Sequence, residues 1–315
     1  MQKTSPFAPR ITLASWAMVA ALGVTWGGTF VVIELALRGI GPAWLAAARI
    51  SGAAIVTVAI WQMLGGRLFL SDARPYGRLA IVGVLNTALP FMLLSWGQVR
   101  VTSGFAGVSM AAVALIVLPL AHLFLPGERL TLRRVIGFGI GFLGVTILLT
   151  GAGALESSGD PLEPFGRLAC LGAAACYASS SVMMRRLPPI DPIGLAAVPL
   201  LFGALVVVPV AALAEGAPAL PDRATLFWLV LLGLVPTAGA NLLRVLVIRT
   251  AGPVFMSLVN YQVPVWSVVL GILILNEPAP PTLWSALALI LAGVAVSQWA
   301  ALRVLFRRRG RGAGG

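Results

Sequence analysis

LPGERLTLRRVIG (residues 125–137) and LNEPAPPTLWSALA (275–288) are two versions of one phrase. Each lies between long apolar runs, and their glutamates, Glu128 and Glu277, stand 149 positions apart (277 minus 128). The first version carries Arg129, Arg133 and Arg134, whereas the second carries no basic residue. The number of apolar runs between them accounts for the difference.

Ten such runs can be read, near 13–35, 44–64, 78–98, 104–125, 133–151, 166–184, 193–214, 225–247, 254–275 and 282–301. Each approaches the roughly 20 residues that a helix needs to cross a bilayer. Helices are required because lipid offers no partner to a free backbone N–H or C=O. A membrane barrel would instead alternate over short segments. Five runs separate the two phrases, and five is odd, so the phrases emerge on opposite faces. Arginine is favoured on the cytoplasmic face and avoided on the other. The fold class expected is therefore an all-α polytopic membrane protein, with ten transmembrane helices as two inverted five-helix repeats. Residues 1–151 form the first repeat, 152–302 the second, and 303–315 a basic cytoplasmic tail. A second fragment supports the duplication: Asn86-Thr87-Ala88 matches Pro236-Thr237-Ala238 at nearly the same offset.

Composition agrees. The 315 residues are 59% hydrophobic and 10% charged, with a mean hydropathy of +0.98. A soluble domain carries about 25% charged residues. A net charge of +12 invites a nucleic-acid reading, but the arginines sit at the ends of apolar runs. If the N-terminus is inside, the inner segments hold Lys3, Arg10, Arg67, Arg74, Arg78, Arg129, Arg133, Arg134, Arg185, Arg186, Arg244, Arg249, Arg303, Arg307, Arg308, Arg309 and Arg311. The outer segments hold only Arg38, Arg100, Arg167 and Arg223, and Arg49 falls within a span. The outer loop 151–165 carries Glu156, Asp160 and Glu163. This bias predicts a multi-pass membrane protein with both termini cytoplasmic, and no nucleic-acid partner. Residues 11–37 read as a retained first span rather than a cleaved signal.

Several chemistries are excluded by what is missing. Cys170 and Cys176 lie in one apolar run and make neither a disulfide framework nor a CxxC motif. The single histidine, His122, cannot build a His-rich metal site, and HExxH is absent. A Ser–His hydrolase would have to pair His122 with a serine such as Ser109, thirteen residues away on the same helix. No Walker A sequence supplies an ATP motor. No enzyme, cofactor or metal is expected.

Polar residues at the middle of spans are costly in lipid and face a bundle interior or cavity. The first run has Trp26 and Thr29, the third Asn86, the sixth Tyr177 and Ser181, the eighth Asn241, and the ninth Asn260 and Tyr261. These eight are the candidate substrate-binding residues. The second, fifth, seventh and tenth runs are almost purely apolar at their midpoints, so runs 1, 3, 4, 6, 8 and 9 are expected to surround the cavity. Ser and Thr can also bond their own helix backbone, and Asn can bond across helices. Glu34, Arg49 and Pro264 are candidates for gating or coupling. Snorkelling to the outer interface is the default for Glu34 and Arg49, with a Glu34–Arg38 pair the next simplest arrangement. Glu128 and Glu277 are expected to cap or pack beside helix ends. With almost no titratable carboxylate at midplane depth, facilitated diffusion or exchange is expected, with Glu34 the one plausible exception.

The segments WGGTFVVIELALRGIGPAWLAAARI (26–50) and PGERLTLRRVIGFGIGFLGVTIL (126–148) resemble the first half of an EamA-type carrier of the drug/metabolite transporter superfamily. GLVPTAGANLL (233–243) and SLVNYQVPVWSVVLGILILNEPAPPTLWSALALILAGVAV (257–296) resemble the second half. The resemblance implies two inverted repeats around a central cavity. It also implies movement of small metabolites, often as export, with amino acids among common substrates. The chain departs from that pattern at Glu34, where family members often have lysine. It departs again at Val263 before Pro264, and at Leu115, where the first half lacks the matching proline. The function expected is a secondary transporter working by alternating access on a small-molecule substrate, with the lipid bilayer as its other partner. The alternatives are a broader drug or amphiphile exporter and a non-transporting scaffold.

Overall fold

A computed structural model describes residues 11–128, 130–150, 160–218, 220–299 and 303. Lys3, Arg10, Arg129, Glu156 and the basic tail beyond Arg303, on which part of the orientation argument rests, lie outside the described residues. Among the described residues, ten helical rods follow the ten runs. They are α1 (Leu13–Leu37), α2 (Pro42–Met63), α3 (Tyr76–Gln98), α4 (Ser103–Phe124) and α5 (Leu132–Thr150) in the first half. The second half holds α6 (Glu163–Met184), α7 (Pro192–Glu215), α8 (Arg223–Ala251), α9 (Pro253–Leu275) and α10 (Pro281–Ser297). Eight are long and apolar enough to cross a membrane. The other two are α10, which is apolar but shorter, and α6, which carries Glu163, Arg167, Tyr177 and three serines.

Local chemistry sets the ends. Thr12, Thr102, Asp191 and Asp222 each accept a backbone N–H in the first turn of the helix that follows. Gly252, at φ 92°, is the sole residue between α8 and α9. Only glycine takes that conformation freely. Asn276, at φ 53°, ends α9 and leads into Glu277.

The packing repeats with opposite polarity. α1 packs on α9 as α6 packs on α4, α2 on α8 as α7 on α3, and α1 on α8 as α6 on α3. α2 packs on α7 and α5 on α10, so each of these helices meets its own counterpart. Such doubled pairing is the contact pattern of two five-helix units related by a twofold axis. Large apolar side chains on the outer faces, among them Ile55, Phe142, Leu143 and Leu205, are exposed, as a lipid-facing surface requires.

The matched fragments become matched irregularities. α3 widens to a π-helix at Val84–Ala88 and α8 at Gly233–Gly239. Proline is the cause in both. Pro90 has no N–H for the Asn86 carbonyl, and Pro236 has none for Leu232. The ladder slips to i→i−5, with Leu89 N–H on Val84 and Ala240 N–H on Val235. Thr hydroxyls then take up carbonyls nearby: Thr87 donates to Gly83 at 2.7 Å, and Thr237 donates to the Leu232 oxygen at 2.7 Å.

Gly137, Gly141 and Gly144 of α5 meet α10. A Cβ on Gly293 would stand 2.4 Å from Gly141 N and 2.5 Å from Gly137 O. The Gly137–Gly141 spacing is thus used inside the chain, where small residues let two helix backbones approach closely.

Candidate functional site

The bundle has two ends, named here for the glutamate at each. Between them lies a cavity of about 250 Å³. Trp26, Thr29 and Phe30 of α1 line it, together with Asn86, Thr87, Phe91 and Leu94 of α3, Met110 and Val113 of α4, and Tyr177, Ser181 and Met184 of α6. Asn241 and Arg244 of α8 and Asn260, Val263 and Pro264 of α9 close the ring. α2 and α7 also contribute, through Arg49 and through Leu195, Ala196, Pro199 and Leu200. This corrects the expectation that only helices 1, 3, 4, 6, 8 and 9 surround the cavity. The apolar midpoints of α2 and α7 form its walls. α5 and α10 stand outside it.

Of the eight candidate binding residues, Trp26, Thr29, Asn86, Tyr177, Ser181, Asn241 and Asn260 line the cavity. Tyr261 does not. It packs into the core cluster of α4 and α10, and its hydroxyl is buried without a hydrogen-bond partner. Helical geometry explains the difference. Successive residues turn by about 100°, so Asn260, Val263 and Pro264 share a face that Tyr261 leaves. Among the gating candidates, Pro264 and Arg49 line the cavity, but Glu34 is not in the lining. Among the described residues Glu34 makes no ion pair with Arg38, the arrangement placed second to snorkelling for it.

Arg49 departs furthest from expectation. It does not snorkel: the residue is 5% exposed. Its Nε donates to Thr237 Oγ1 at 2.8 Å, and its Cζ lies 4.0 Å from the centroid of the Phe91 ring. Thr237 is the midpoint of α8 (Arg223–Ala251), so the guanidinium sits at mid-depth. The contact has a counterpart in the other half. Thr87 Oγ1 lies 3.3 Å from the Pro199 carbonyl, and both members are displaced by 150 positions, Thr87 to Thr237 and Arg49 to Pro199. The sequence placed Arg49 too far from the middle because it counted residues along the helix and not the reach of the side chain.

Some polar groups of the lining are spent on the protein. Trp26 Nε1 donates to the Pro236 carbonyl at 3.0 Å, Thr29 to Thr25, and Ser181 to Tyr177. Others keep unused capacity. Asn86 accepts from Ser180 through Oδ1, which leaves its amino group, and Asn241 donates to Thr237, which leaves its carbonyl oxygen. The Asn260 side chain is exposed to the cavity, and Pro264 cannot donate to the Asn260 carbonyl.

The cavity is asymmetric along the bundle. Its lining runs to Met184, the last residue of α6, and to Leu195 in the first turn of α7, both at the Glu128 end. Toward the other end it stops at Phe30, Leu94 and Arg49. Beyond them Gln98, 2% exposed, donates to the Phe30 carbonyl at 2.9 Å. At that tip Glu277 accepts from Ser103 N at 2.7 Å, Ser103 Oγ at 2.9 Å and Gly104 N at 3.1 Å. Glu215 likewise caps α2, accepting from Ala43 N and Trp44 N. Glu128 behaves differently. It pairs with Arg134 at 2.9 Å and Arg185 at 3.2 Å, and Arg134, then Arg185, holds its carboxyl below the usual carboxylate range. Such exposed pairs add little stability.

The model of the EamA-like transporter family matches residues 13–150 and again residues 164–299. The chain belongs to that family. It is a multi-pass membrane transporter, not an enzyme, and its surroundings are the bilayer and a small-molecule substrate. This EamA-like transporter is 27% identical to the "Uncharacterized inner membrane transporter YedA" of Escherichia coli, over 90% of each chain. It is 30% identical to the "Probable terminal-alkyne amino-acid exporter" of Streptantibioticus cattleyicolor. That match covers 46% of this chain and 47% of the exporter, about half the length of each. A solved crystal structure matches with a TM-score of 0.64 at 23% identity, covering 91% of this transporter and 98% of the other chain. At that identity the likeness concerns the fold.

Proposed function

We propose that the chain is a secondary carrier that exports small metabolites such as amino acids across the bacterial inner membrane by alternating access. The observation that carries this reading is a mid-depth cavity between two inverted repeats, with unused hydrogen-bonding capacity on the amides of Asn86, Asn241 and Asn260. Inverted repeats with a midplane site between them are the plan of many secondary transporters. The name of the Streptantibioticus relative supports amino acids as a substrate class. A volume of about 250 Å³ is below the roughly 300–1,000 Å³ of drug-sized pockets, which favours a small metabolite over a large amphiphile.

The arginine bias supports a cytoplasmic Glu128 end and cytoplasmic termini. The cavity then extends toward the cytoplasm, the loading side for an exporter. The expected labelling is simple. In a variant without Cys170 and Cys176, Ser158→Cys should react with an impermeant thiol reagent in intact cells and Arg308→Cys should not. The reverse pattern inverts the assignment.

Flux of labelled amino acids through proteoliposomes tests the carrier reading. Asn260→Ala removes one polar contact in the cavity, about 0.5–1.5 kcal/mol. Apparent affinity should therefore fall by a few-fold to about tenfold, with expression unchanged. Protein-dependent flux of no tested metabolite would overturn the small-metabolite reading.

A further inference from the structure

We propose that the substrate is an organic anion, a carboxylate bound by Arg49 after passing Arg244, and that its export is electrogenic. This rests on the carrier reading above.

Among the described residues the lining contains two arginines and no Asp or Glu. Arg49 spends Nε on Thr237, and among the described residues its two Nη groups make no hydrogen bond. They remain as a free fork at mid-depth, beside Phe91 and within electrostatic reach of the Tyr177 hydroxyl. Arg244 has a buried Nε without a partner and makes no hydrogen bond or ion pair among the described residues. It lies on α8 about two turns from Thr237 toward the Glu128 end. The two charges thus mark a path, with Arg244 on the way in and Arg49 near the closed tip.

A buried charge without a counter-ion is costly, and buried charges are paired or coordinate an ion. Among the described residues neither guanidinium has an acidic counter-ion, so the substrate supplies it. The planar fork of arginine matches a carboxylate in two-point contact. Phe30, Phe91, Leu94, Met110 and Val113 offer apolar wall to the rest of the molecule. A substrate ammonium would meet no carboxylate in the lining. Within the amino-acid class this favours molecules whose amino group is blocked or outweighed by acid.

The same charges supply a driving force. A cell interior is electrically negative, and moving one charge across 100 mV shifts a distribution by about fiftyfold. An anion released outward therefore needs no coupled proton, in keeping with a lining that holds no titratable carboxylate.

Four analogues of one shape separate the possibilities: N-acetylphenylalanine (anion), phenylalanine (zwitterion), N-acetylphenylalanine amide (neutral) and phenylalanine amide (cation). Binding to the purified protein, read by tryptophan fluorescence, should be tightest for the anion and weakest for the cation. The separation expected is about tenfold or more, from hydrogen bonds to a charged group. Arg49→Gln should erase that order, and Arg49→Lys should restore part of it. Arg244→Gln, which removes no bond within the protein, should weaken the anion selectively and serves if Arg49→Gln does not fold. In proteoliposomes carrying a potassium diffusion potential, N-acetylphenylalanine should accumulate on the positive side and fail to accumulate at zero potential. Equal binding of cation and anion, binding of none of the four, or flux indifferent to potential would overturn the proposal. Flux of phenylalanine amide as fast as that of the anion would refute the anion site while leaving the carrier reading intact. Anion binding without any flux would do the opposite.

Discussion

Gly293→Ala is expected to destabilise the protein by about 1–3 kcal/mol, the usual cost of overpacking, while Gly139→Ala leaves it unchanged or more stable by about 0.5–1 kcal/mol. Helix propensity alone predicts a gain for both, because alanine is the better helix former. Space decides otherwise. A Cβ at Gly293 meets backbone atoms, Gly141 N at 2.4 Å and Gly137 O at 2.5 Å, whereas nothing lies within 4 Å of a Cβ at Gly139. Backbone cannot swing aside as a side-chain tip can, so α5 and α10 must separate. Gly293→Val should go further and yield no monodisperse protein in mild detergent. Thermal unfolding followed by size-exclusion fluorescence reads the contrast. The same sign of shift for Gly293→Ala and Gly139→Ala would mean that α5 and α10 are not in backbone contact.

How far the sequence foretold this arrangement depends on which physical term is in question. Ten helices were legible because lipid imposes a minimum length and requires every backbone group to be paired within the helix. The inversion was legible in the two glutamate phrases, since an odd number of spans reverses the face and arginine reports the face. The polar midpoints of α1, α3, α6, α8 and α9 marked the cavity because a polar side chain is costly anywhere else at that depth. Side-chain direction was not legible. Tyr261 seemed to share a stripe with Asn260, yet it lies about 100° around the helix. α2 and α7 seemed mere support, because an apolar wall and a lipid-facing surface are written in the same residues. From the sequence Arg49 reads as an interfacial residue, because nothing in its own helix announces Thr237, its partner 188 positions away. The paired π-helices were half visible. The matched Thr-Ala fragments are plain in the sequence, but the slip of the ladder follows from prolines placed differently in the two halves, after Asn86 and within the Pro236 segment.

Glu277→Ala is expected to loosen the closed tip of the cavity. The carboxylate satisfies two backbone donors at the start of α4, Ser103 N and Gly104 N, and the Ser103 hydroxyl as well. Thr102 takes the next donor, Phe105 N. Negative charge at a helix N-terminus is favourable in itself, and Ser103 is fully buried, so water does not readily replace the lost acceptor. Each orphaned donor costs about 1–3 kcal/mol. That loss falls on the arrangement in which α4 and the α9–α10 turn are clamped together. Among the described residues the opposite end has no equivalent clamp. Glu128 pairs with Arg134 and Arg185, and the position matching Ser103 by the repeat offset falls at Gly252–Pro253, where proline has no N–H to give. Removing the Glu277 carboxylate should therefore shift the population toward a state open at the Glu277 end. A cysteine in place of Leu94, at the tip of the cavity, would report this in a variant lacking Cys170 and Cys176. Labelling by an impermeant maleimide applied from the Glu277 side should be slow with Glu277 present and several-fold faster in Glu277→Ala. Glu277→Gln, which keeps one acceptor and loses the charge, should fall between. Unchanged labelling together with a lowered melting temperature would make Glu277 a cap on α4 and nothing more, and the closed tip would then have to be held by the Gln98–Phe30 bond and the packing around it.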